Sequence, residues 1–337
     1  LPAHTTNPTH RHLEHASGAW AILEAGDTPQ NIAHEALEAR FNRYIRLRGS
    51  LARYMSQPVE QLPASEADLV WPTRYFSDRL ELEIGGETFV LQHHRGETDD
   101  QLYVWVPGRK ALASADYYQG FLPNAGNGKR VQRHVEDWIA ALQEMAALEP
   151  AYLLPAHGAE ITDTATIVEN FSVLAQAMQH IVDHTIDGLN AGKRKDEIYG
   201  SVALPEHLAT HPTLRVQYVT PGDISRMLLK QYTGWWDDIP SNWTPAPMEE
   251  QGRMIIELGG GDITSLTAYG RALISEDIRL ASHLADWLFY ARPDDAEVQQ
   301  LVFDVYKARI MDPSANTQEM LTYLDQMTAA RARTRGQ

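Results

Sequence analysis

The hydrophobic periodicity of the chain changes once along its length, and this change limits the possible folds more than any other feature. Between residues 80 and 154, apolar residues alternate with polar ones or form short apolar runs, which is typical of β-strands. From residue 166 onward the apolar spacing is helical, with breaks at glycine and proline positions. A mixed α/β domain (residues 1–165) is therefore predicted before an all-helical region.

The first domain is expected to contain a small sheet. Gly85-Gly86 separates two alternating segments, and this arrangement predicts a β-hairpin. The predicted strands are residues 80–84, 88–91, 102–106, 111–115 and 152–154. Upstream of them, Thr28 before Pro29 is a typical helix start, and apolar residues follow at helical spacing as far as Pro58. One long amphipathic helix is predicted there.

The second domain is predicted to consist of helical hairpins. Residues 262–274, 276–291 and 294–310 have the lengths and short connections of stacked helices. We expect an all-α domain at residues 166–310 and a helical C-terminal tail at residues 311–337.

Composition excludes several classes of site and partner. The chain has no cysteine, so a metal would have to be held by histidine and carboxylate ligands. Its 29 lysine and arginine residues against 45 aspartate and glutamate residues give a net charge of −16, which disfavours binding to nucleic acid. No apolar run is long enough to span a membrane. A soluble protein is expected, in either the cytoplasm or the periplasm.

The densest group of possible metal ligands is His10-Arg11-His12-Leu13-Glu14-His15. His10 and His12 point to the same side only where the backbone is extended, and the adjacent Glu14 and His15 diverge unless the chain turns. This spacing predicts a loop that enters a helix near Ala16 and serves two metal ions. The alternative is a solvated histidine tract without a ligand.

Three later residues favour the metal site. Glu97, Asp116 and His157 each follow the end of a predicted strand, where loops gather at one edge of a sheet. Each has an ordinary alternative: a surface carboxylate, a helix cap and a turn residue, respectively. Together with the histidine group, they predict a site built from four separate segments.

These motifs resemble those of the metallo-β-lactamase superfamily. Residues 10–15 are similar to its HxHxDH signature, with Glu14 where the family has Asp, and the later motifs follow in the family order. Most members of the superfamily carry His at the position of Glu97. The carboxylate at this position is a feature in which the chain resembles the alkyl sulfatase branch. Residues 232–237 and 291–294 are similar to segments of the helical dimerisation domain of alkyl sulfatases. The resemblance implies an α/β metallo-β-lactamase-type sandwich followed by an all-α dimerisation domain.

The resemblance also implies a ligand set and an activity. His10, His12 and Glu97 would hold one ion, Glu14, His15 and His157 the other, and Asp116 would lie between them. Two Zn²⁺ ions per chain are expected, with Mn²⁺ or Fe as alternatives. The implied activity is hydrolysis of a small ester, above all an alkyl sulfate, by metal-activated water, with Asp116 and Glu14 as catalytic residues. A homodimer is expected.

Three departures from the family pattern leave alternatives open. Glu14 is longer than Asp, residues 117–121 lack the family's Thr and His, and Asp223 stands where a His is expected. The substrate would then be a phosphate ester, a lactone or a β-lactam, or the protein would be an inactive dimeric scaffold.

Only nine residues precede His10, so we expect an incomplete sandwich whose missing strands belong to a longer polypeptide or to a separate chain.

Overall fold

The computed structural model describes residues 5–10 and 12–334, without the side chains of Leu13, Glu14, Arg333 and Thr334. The chain divides into two compact units, and the division falls between Trp235 and Trp236. The predicted domain boundary near residue 165 stays a prediction. Among the described residues, no helix has both the length and the apolar character that a membrane crossing requires.

The first unit contains two sheets. A three-stranded parallel sheet has the order β1-β2-β3, and a five-stranded sheet has the order β4-β5-β6-β7-β8. Neighbours in the larger sheet are antiparallel except β7 and β8, which are parallel. The strands are β1 (Thr5–Thr6), β2 (Gln30–His34), β3 (Arg74–Phe76), β4 (Arg79–Ile84), β5 (Glu87–His93), β6 (Leu102–Val106), β7 (Ala111–Ala115) and β8 (Tyr152–Pro155). The five predicted strands are thereby confirmed.

The described part of the first unit also contains α-helices. They are α1 (Leu13–Ala16), α2 (Ala19–Glu24), α3 (Leu37–Arg46), α4 (Arg48–Met55), α5 (Val135–Ala147), α6 (Thr164–Asn190), α7 (Lys195–Ser201), α8 (Glu206–Ala209) and α9 (Pro221–Thr233).

The prediction of a single long helix before Pro58 is wrong. Its first part is strand β2, in which Ile32 and Ala33 are fully buried between β1 and β3. Pairing with two strands that are distant in sequence outweighs the helical spacing, which this short segment fits by coincidence. The rest forms two helices, because the backbone at Leu47 leaves helical geometry between α3 and α4.

The main core of the first unit lies between the larger sheet and helices α5 and α6. Trp138 and Leu142 of α5, Phe171 of α6, and Leu112 and Leu153 of the strands are fully buried in it. Each such side chain contributes about 1.5–3 kcal/mol through burial. This packing fixes β7 and β8, the two strands that lead into the candidate site.

The second unit is a stack of helices. It consists of α10 (Met248–Leu258), α11 (Ile263–Glu276), α12 (Ile278–Ala291), α13 (Ala296–Met311) and α14 (Thr317–Thr334). Asp262, Asp277 and Asp295 cap the amino ends of α11, α12 and α13 with their side chains. The three predicted helices are confirmed to within a few residues. Side chains of α14 pack against the same core as those of α12 and α13.

The loop after Asp116 packs tightly against the start of α9. A Cβ atom at Gly126 would lie 2.4 Å from the backbone of Asp223 and Ile224, whereas one at Gly128 would meet nothing within 4 Å. We therefore predict that Gly126→Ala lowers the free energy of unfolding by about 1–3 kcal/mol in urea. Gly128→Ala is the matched control and is expected to change it by less than about 0.5 kcal/mol. Equal effects of the two substitutions would contradict this packing.

Candidate metal centre

Two parallel strands place candidate ligands at one edge of the larger sheet. Asp116 follows β7 and His157 follows β8, so both residues lie beyond the same strand ends. The register of β7 shifts between Ala113 and Ala115, and Ala115 has a left-handed φ of 48°. A bulge of this kind redirects the chain beside active sites, and here it directs the chain out of the strand at Asp116.

Asp116 is the central residue of the site. Its side chain is 2% exposed, and three imidazoles approach it. Its Oδ2 lies 3.5 Å from Nε2 of His10, and its Oδ1 lies 3.5 Å from Nε2 of His15 and 3.3 Å from Nε2 of His157. One buried carboxylate therefore contacts histidines from the amino-terminal segment and from the loop after β8.

The side chains form two groups with the spacing of metal ligands. In each group, every residue offers one ligand atom, and these atoms lie within 4.8 Å of one another. Asp116 belongs to both groups. The first is His10, His12, Glu97 and Asp116, and the second is His15, Asp116 and His157. The structure thus brings together six of the seven residues for which a ligand role is predicted from the sequence, and that role stays a prediction. The seventh, Glu14, lies in α1, and its side chain is outside the described residues.

The amino-terminal segment turns from extended to helical within the site. His12 Nδ1 lies 2.9 Å from His10 Nε2, and the carbonyl of His12 accepts hydrogen bonds from the amides of His15 and Ala16. Thr9 Oγ1 lies 3.4 Å from His10 Nδ1 and 3.3 Å from His15 Nδ1. The carbonyl of Thr9 accepts from the amide of Leu102, which ties this segment to β6.

Burial and close contacts set the charges of these groups. Burial opposes ionisation of Asp116, but the close approach of His10 and His157 holds its pKa well below the ordinary value. Burial lowers the pKa of His10, yet Asp116 outweighs this effect and raises it overall. Burial and the charge of His10 lower the pKa of His15 to about 4. His15 is therefore neutral at pH 7, the form in which an imidazole binds a metal.

Glu97 lies in a polar pocket that sequence reasoning missed. Its Oε1 accepts hydrogen bonds from Arg133 and, at 3.2 Å, from Asn124 Nδ2, and its Oε2 accepts from Gln119 Nε2 at 3.3 Å. Burial raises the pKa of Glu97 to about 7, although the charge of Arg133 acts to lower it. Residues 119, 124 and 133 lie in one loop, and nothing in their spacing distinguishes them from solvated loop residues.

Asp223 has a structural explanation. Its carboxylate accepts hydrogen bonds from the backbone amide and hydroxyl of Thr220, both at 2.9 Å, and thereby caps α9. The carboxylate that departs from the expected family pattern therefore has a role in starting this helix.

The donor set fits a divalent metal ion. Two buried atoms of the centre, Nε2 of His15 and Oδ1 of Asp116, have no hydrogen-bond partner within the described part of the chain. An unsatisfied buried polar atom costs about 1–3 kcal/mol, and a cation bound by both atoms would remove that cost. Imidazole and carboxylate ligands without thiolates suit Zn²⁺, and also Mn²⁺ or Fe.

Comparisons with known families agree with this geometry. Residues 8–157 match the family model of the metallo-beta-lactamase superfamily. Residues 194–332 match the family model described as alkyl sulfatase dimerisation. The first match contains all of the predicted ligands, and the second contains α10 to α13 and all but the last two residues of α14.

Two individual proteins are also similar to this chain, one in sequence and one in structure. The chain is 30% identical over 227 residues to a linear primary-alkylsulfatase from Pseudomonas sp. (strain ATCC 19151), a match that covers 66% of this chain and 43% of that protein. It superposes on the solved structure of the sec-alkylsulfatase Pisa1 from Pseudomonas sp. with a TM-score of 0.85 at 19% identity, covering 98% of this chain and 57% of that one. The latter likeness shows a shared fold. The chain thus spans about half the length of these relatives.

Because Glu97 pairs with Arg133, we predict that removing the charge of Arg133 strongly lowers the free energy of unfolding. Both side chains are buried, so Arg133→Gln leaves a carboxylate without its cation and is expected to cost about 3–5 kcal/mol in urea unfolding of metal-free protein at pH 8. Arg109→Gln breaks a pair with Glu87 that lies at the surface, and should cost about 0–1 kcal/mol. A cost for Arg133→Gln as small as that of the control would refute the assignment.

Proposed function

Since the chain belongs to the metallo-β-lactamase superfamily and carries an alkyl sulfatase dimerisation domain, we propose that it is a metal-dependent hydrolase of alkyl sulfate esters. The observation that carries this proposal is the position of Asp116, which is shared by the two groups of potential ligands. A bridging carboxylate between two imidazole sets is suited to a pair of metal ions.

The residues of the centre have distinct roles in this proposal. His10, His12 and Glu97 would hold one ion, His15, His157 and Glu14 the other, and Asp116 would contact both. Divalent ions bound there would lower the pKa of water toward about 7 and stabilise negative charge on the departing group. Asp116 is ionised and fixed by its contacts, and Glu14 is the second carboxylate that we propose as catalytic.

Access to the second ligand group supports a catalytic rather than a structural site. The side chain of His157 is 48% exposed, whereas that of Asp116 is 2% exposed. Structural metal sites are closed by protein ligands, while catalytic sites keep one side open for substrate. The open side at His157 is the proposed entrance.

A cavity in the first unit is the proposed place for the organic part of an ester. It has a volume of about 410 Å³, and its lining includes Ala16, the residue that follows His15 in the chain. Its walls include the apolar side chains of Trp20, Phe41 and Leu62. Arg48 and Glu60 add polar groups. Pockets for small organic ligands combine apolar walls with a few polar groups in this way.

Metal analysis with a matched histidine control tests the proposal. Purified protein dialysed against zinc should retain about two equivalents per chain by mass spectrometry and release sulfate from octyl sulfate, and chelator should abolish this release. His12→Ala should lose metal and activity. His207→Ala, at an exposed position in α8, should keep both.

Two results would go against this function. Absence of bound metal under zinc-replete conditions would favour the inactive scaffold. Bound metal with hydrolysis of a phosphate ester, lactone or β-lactam, but not of octyl sulfate, would keep the metal chemistry and overturn the substrate.

We also propose a homodimer formed through residues 195–310. Large apolar side chains are exposed on the helices of the second unit within this range, and an exposed apolar patch is typical of an interface. They include Met254, Leu258, Tyr269 and Leu280.

Light scattering tests the dimer. At micromolar concentration the mass should be twice the 37.9 kDa of one chain. Leu258→Glu, at a side chain 78% exposed, should shift the protein toward monomer without unfolding it, because a charge opposes burial in the interface. Met311→Glu, 72% exposed and outside the range, should remain dimeric. A wild-type monomer would contradict the proposal.

A further inference from the structure

Tyr117 connects the two loops that carry the carboxylates of the first ligand group. It follows Asp116 directly in the chain, and its side chain is fully buried. Its hydroxyl donates to the backbone carbonyl of His94 and, at 3.0 Å, to that of Gln101. These two carbonyls lie at the two ends of the loop that contains Glu97. The residue after one carboxylate thereby holds the loop of the other.

The Glu97 loop, residues 94–101, is closed by its own hydrogen bonds. The amide of His94 donates to the carbonyl of Gln101 at 3.2 Å. The amide of Glu97 donates to the side-chain Oε1 of Gln101 at 3.0 Å. Because these bonds link the parts of the loop to one another, a contact that fixes both ends of the loop also fixes the position of Glu97 between them.

Neighbouring groups fix the ring of Tyr117. Trp138 of α5 donates from Nε1 to the carbonyl of Tyr117 at 3.1 Å, and the two rings make an edge-to-face contact with centroids 6.2 Å apart. Tyr103 of β6 makes a second edge-to-face contact at 6.4 Å. A Cβ atom at Gly96 would lie 2.8 Å from Cε1 of the phenol, so the backbone of the Glu97 loop packs directly against the ring. A ring packed in this way leaves its hydroxyl little freedom to move away from the two carbonyls.

The adjacent Tyr118 provides a matched comparison. It is also buried, but its hydroxyl accepts a hydrogen bond from Nδ2 of Asn170 in α6 at 3.1 Å. Its ring makes an edge-to-face contact with Phe171 of the same helix. Two neighbouring tyrosines therefore hold different elements, since Tyr117 binds the Glu97 loop and Tyr118 binds α6. A change at Tyr117 is expected to reach Glu97, whereas the same change at Tyr118 is not.

The separation of the two carboxylates matters to the first ligand group. Glu97 and Asp116 belong to it together with His10 and His12, and its ligand atoms lie within 4.8 Å of one another. Carboxylate oxygens bind Zn²⁺ at about 2.0–2.2 Å, so a small displacement of one carboxylate lowers the affinity for the ion. The second group shares Asp116 but contains no residue of the Glu97 loop.

We propose that Tyr117 is a positioning residue, whose hydroxyl sets the distance between Glu97 and Asp116 and thereby the affinity of the first ligand group for its metal ion. The effect on affinity rests on the proposed metal-dependent function. The attachment of the Glu97 loop to Tyr117 does not, because the chain itself forms these hydrogen bonds. Replacing a group that holds metal ligands in place typically lowers metal affinity by about 10- to 100-fold.

Calorimetric zinc titrations of two single-site backgrounds test the effect on affinity. His157→Ala removes a ligand of the second group and leaves the first intact, and His12→Ala does the reverse. In the His157→Ala background, Tyr117→Phe should weaken zinc binding by about tenfold or more, because the Glu97 loop loses its attachment. In the His12→Ala background, the same substitution should leave zinc binding unchanged.

Two further substitutions complete this experiment. Tyr118→Phe is the matched control, because it removes a buried hydroxyl at the neighbouring position, and it should leave zinc affinity unchanged in both backgrounds. Gly96→Ala keeps the hydroxyl but forces the loop away from the ring, and it should reproduce the pattern of Tyr117→Phe. Thermal unfolding of each variant checks that the fold is retained.

The titrations separate positioning from a general loss of structure. Equal weakening by Tyr117→Phe in both backgrounds, or the same loss with Tyr118→Phe, would show a general structural effect and overturn the positioning role. Unchanged zinc affinity of Tyr117→Phe in the His157→Ala background would overturn it as well.

Hydrogen exchange of the metal-free protein tests the attachment of the loop by itself. Amides of the Glu97 loop should exchange about fivefold or more faster in Tyr117→Phe than in the wild type, and at the wild-type rate in Tyr118→Phe. Equal exchange rates in Tyr117→Phe and the wild type would overturn the attachment. If the wild type binds no zinc, the proposed function fails and the effect on affinity fails with it, while the exchange rates still decide whether Tyr117 holds the loop.

Discussion

The candidate site depends on the contacts between the buried carboxylate of Asp116 and the imidazoles around it. A carboxylate with 2% exposure is costly to bury, and here histidines from two distant parts of the chain surround it. The contacts keep it ionised, so the centre presents negative charge to a ring of imidazoles. Such an arrangement is stable only with compensating positive charge, from protonated histidine or from bound cations.

The fold places this carboxylate through backbone geometry. The parallel pairing of β7 with β8 brings their ends to the same edge, and the bulge at Ala115 turns the chain out of the strand at Asp116. Helices α5 and α6 hold both strands from one face through a fully buried core. Rigid strands beneath a loop-built centre are a common way to fix ligands with small positional error.

Much of this arrangement follows from the sequence, and the reasons are physical. Strand alternation is a local pattern, so β4 to β8 were predictable, and residues placed just after those strands had to gather at their ends. Strand β2 was not predictable in this way, because its identity depends on pairing with β1 and β3. The guanidinium of Arg133 beside Glu97 also depends on tertiary contacts, since the loop that carries it has no periodicity. Local signals therefore locate the candidate ligands, and long-range contacts determine their surroundings.

Anomalous diffraction at the zinc absorption edge, from crystals of zinc-loaded protein, tests the central claim most directly. Two anomalous peaks should flank the carboxylate of Asp116, one within ligand distance of His10 and His12 and the other within ligand distance of His15 and His157. Peaks located elsewhere, or an Asp116 that contacts no ion while the histidines remain as described, would contradict a metal centre organised around this carboxylate.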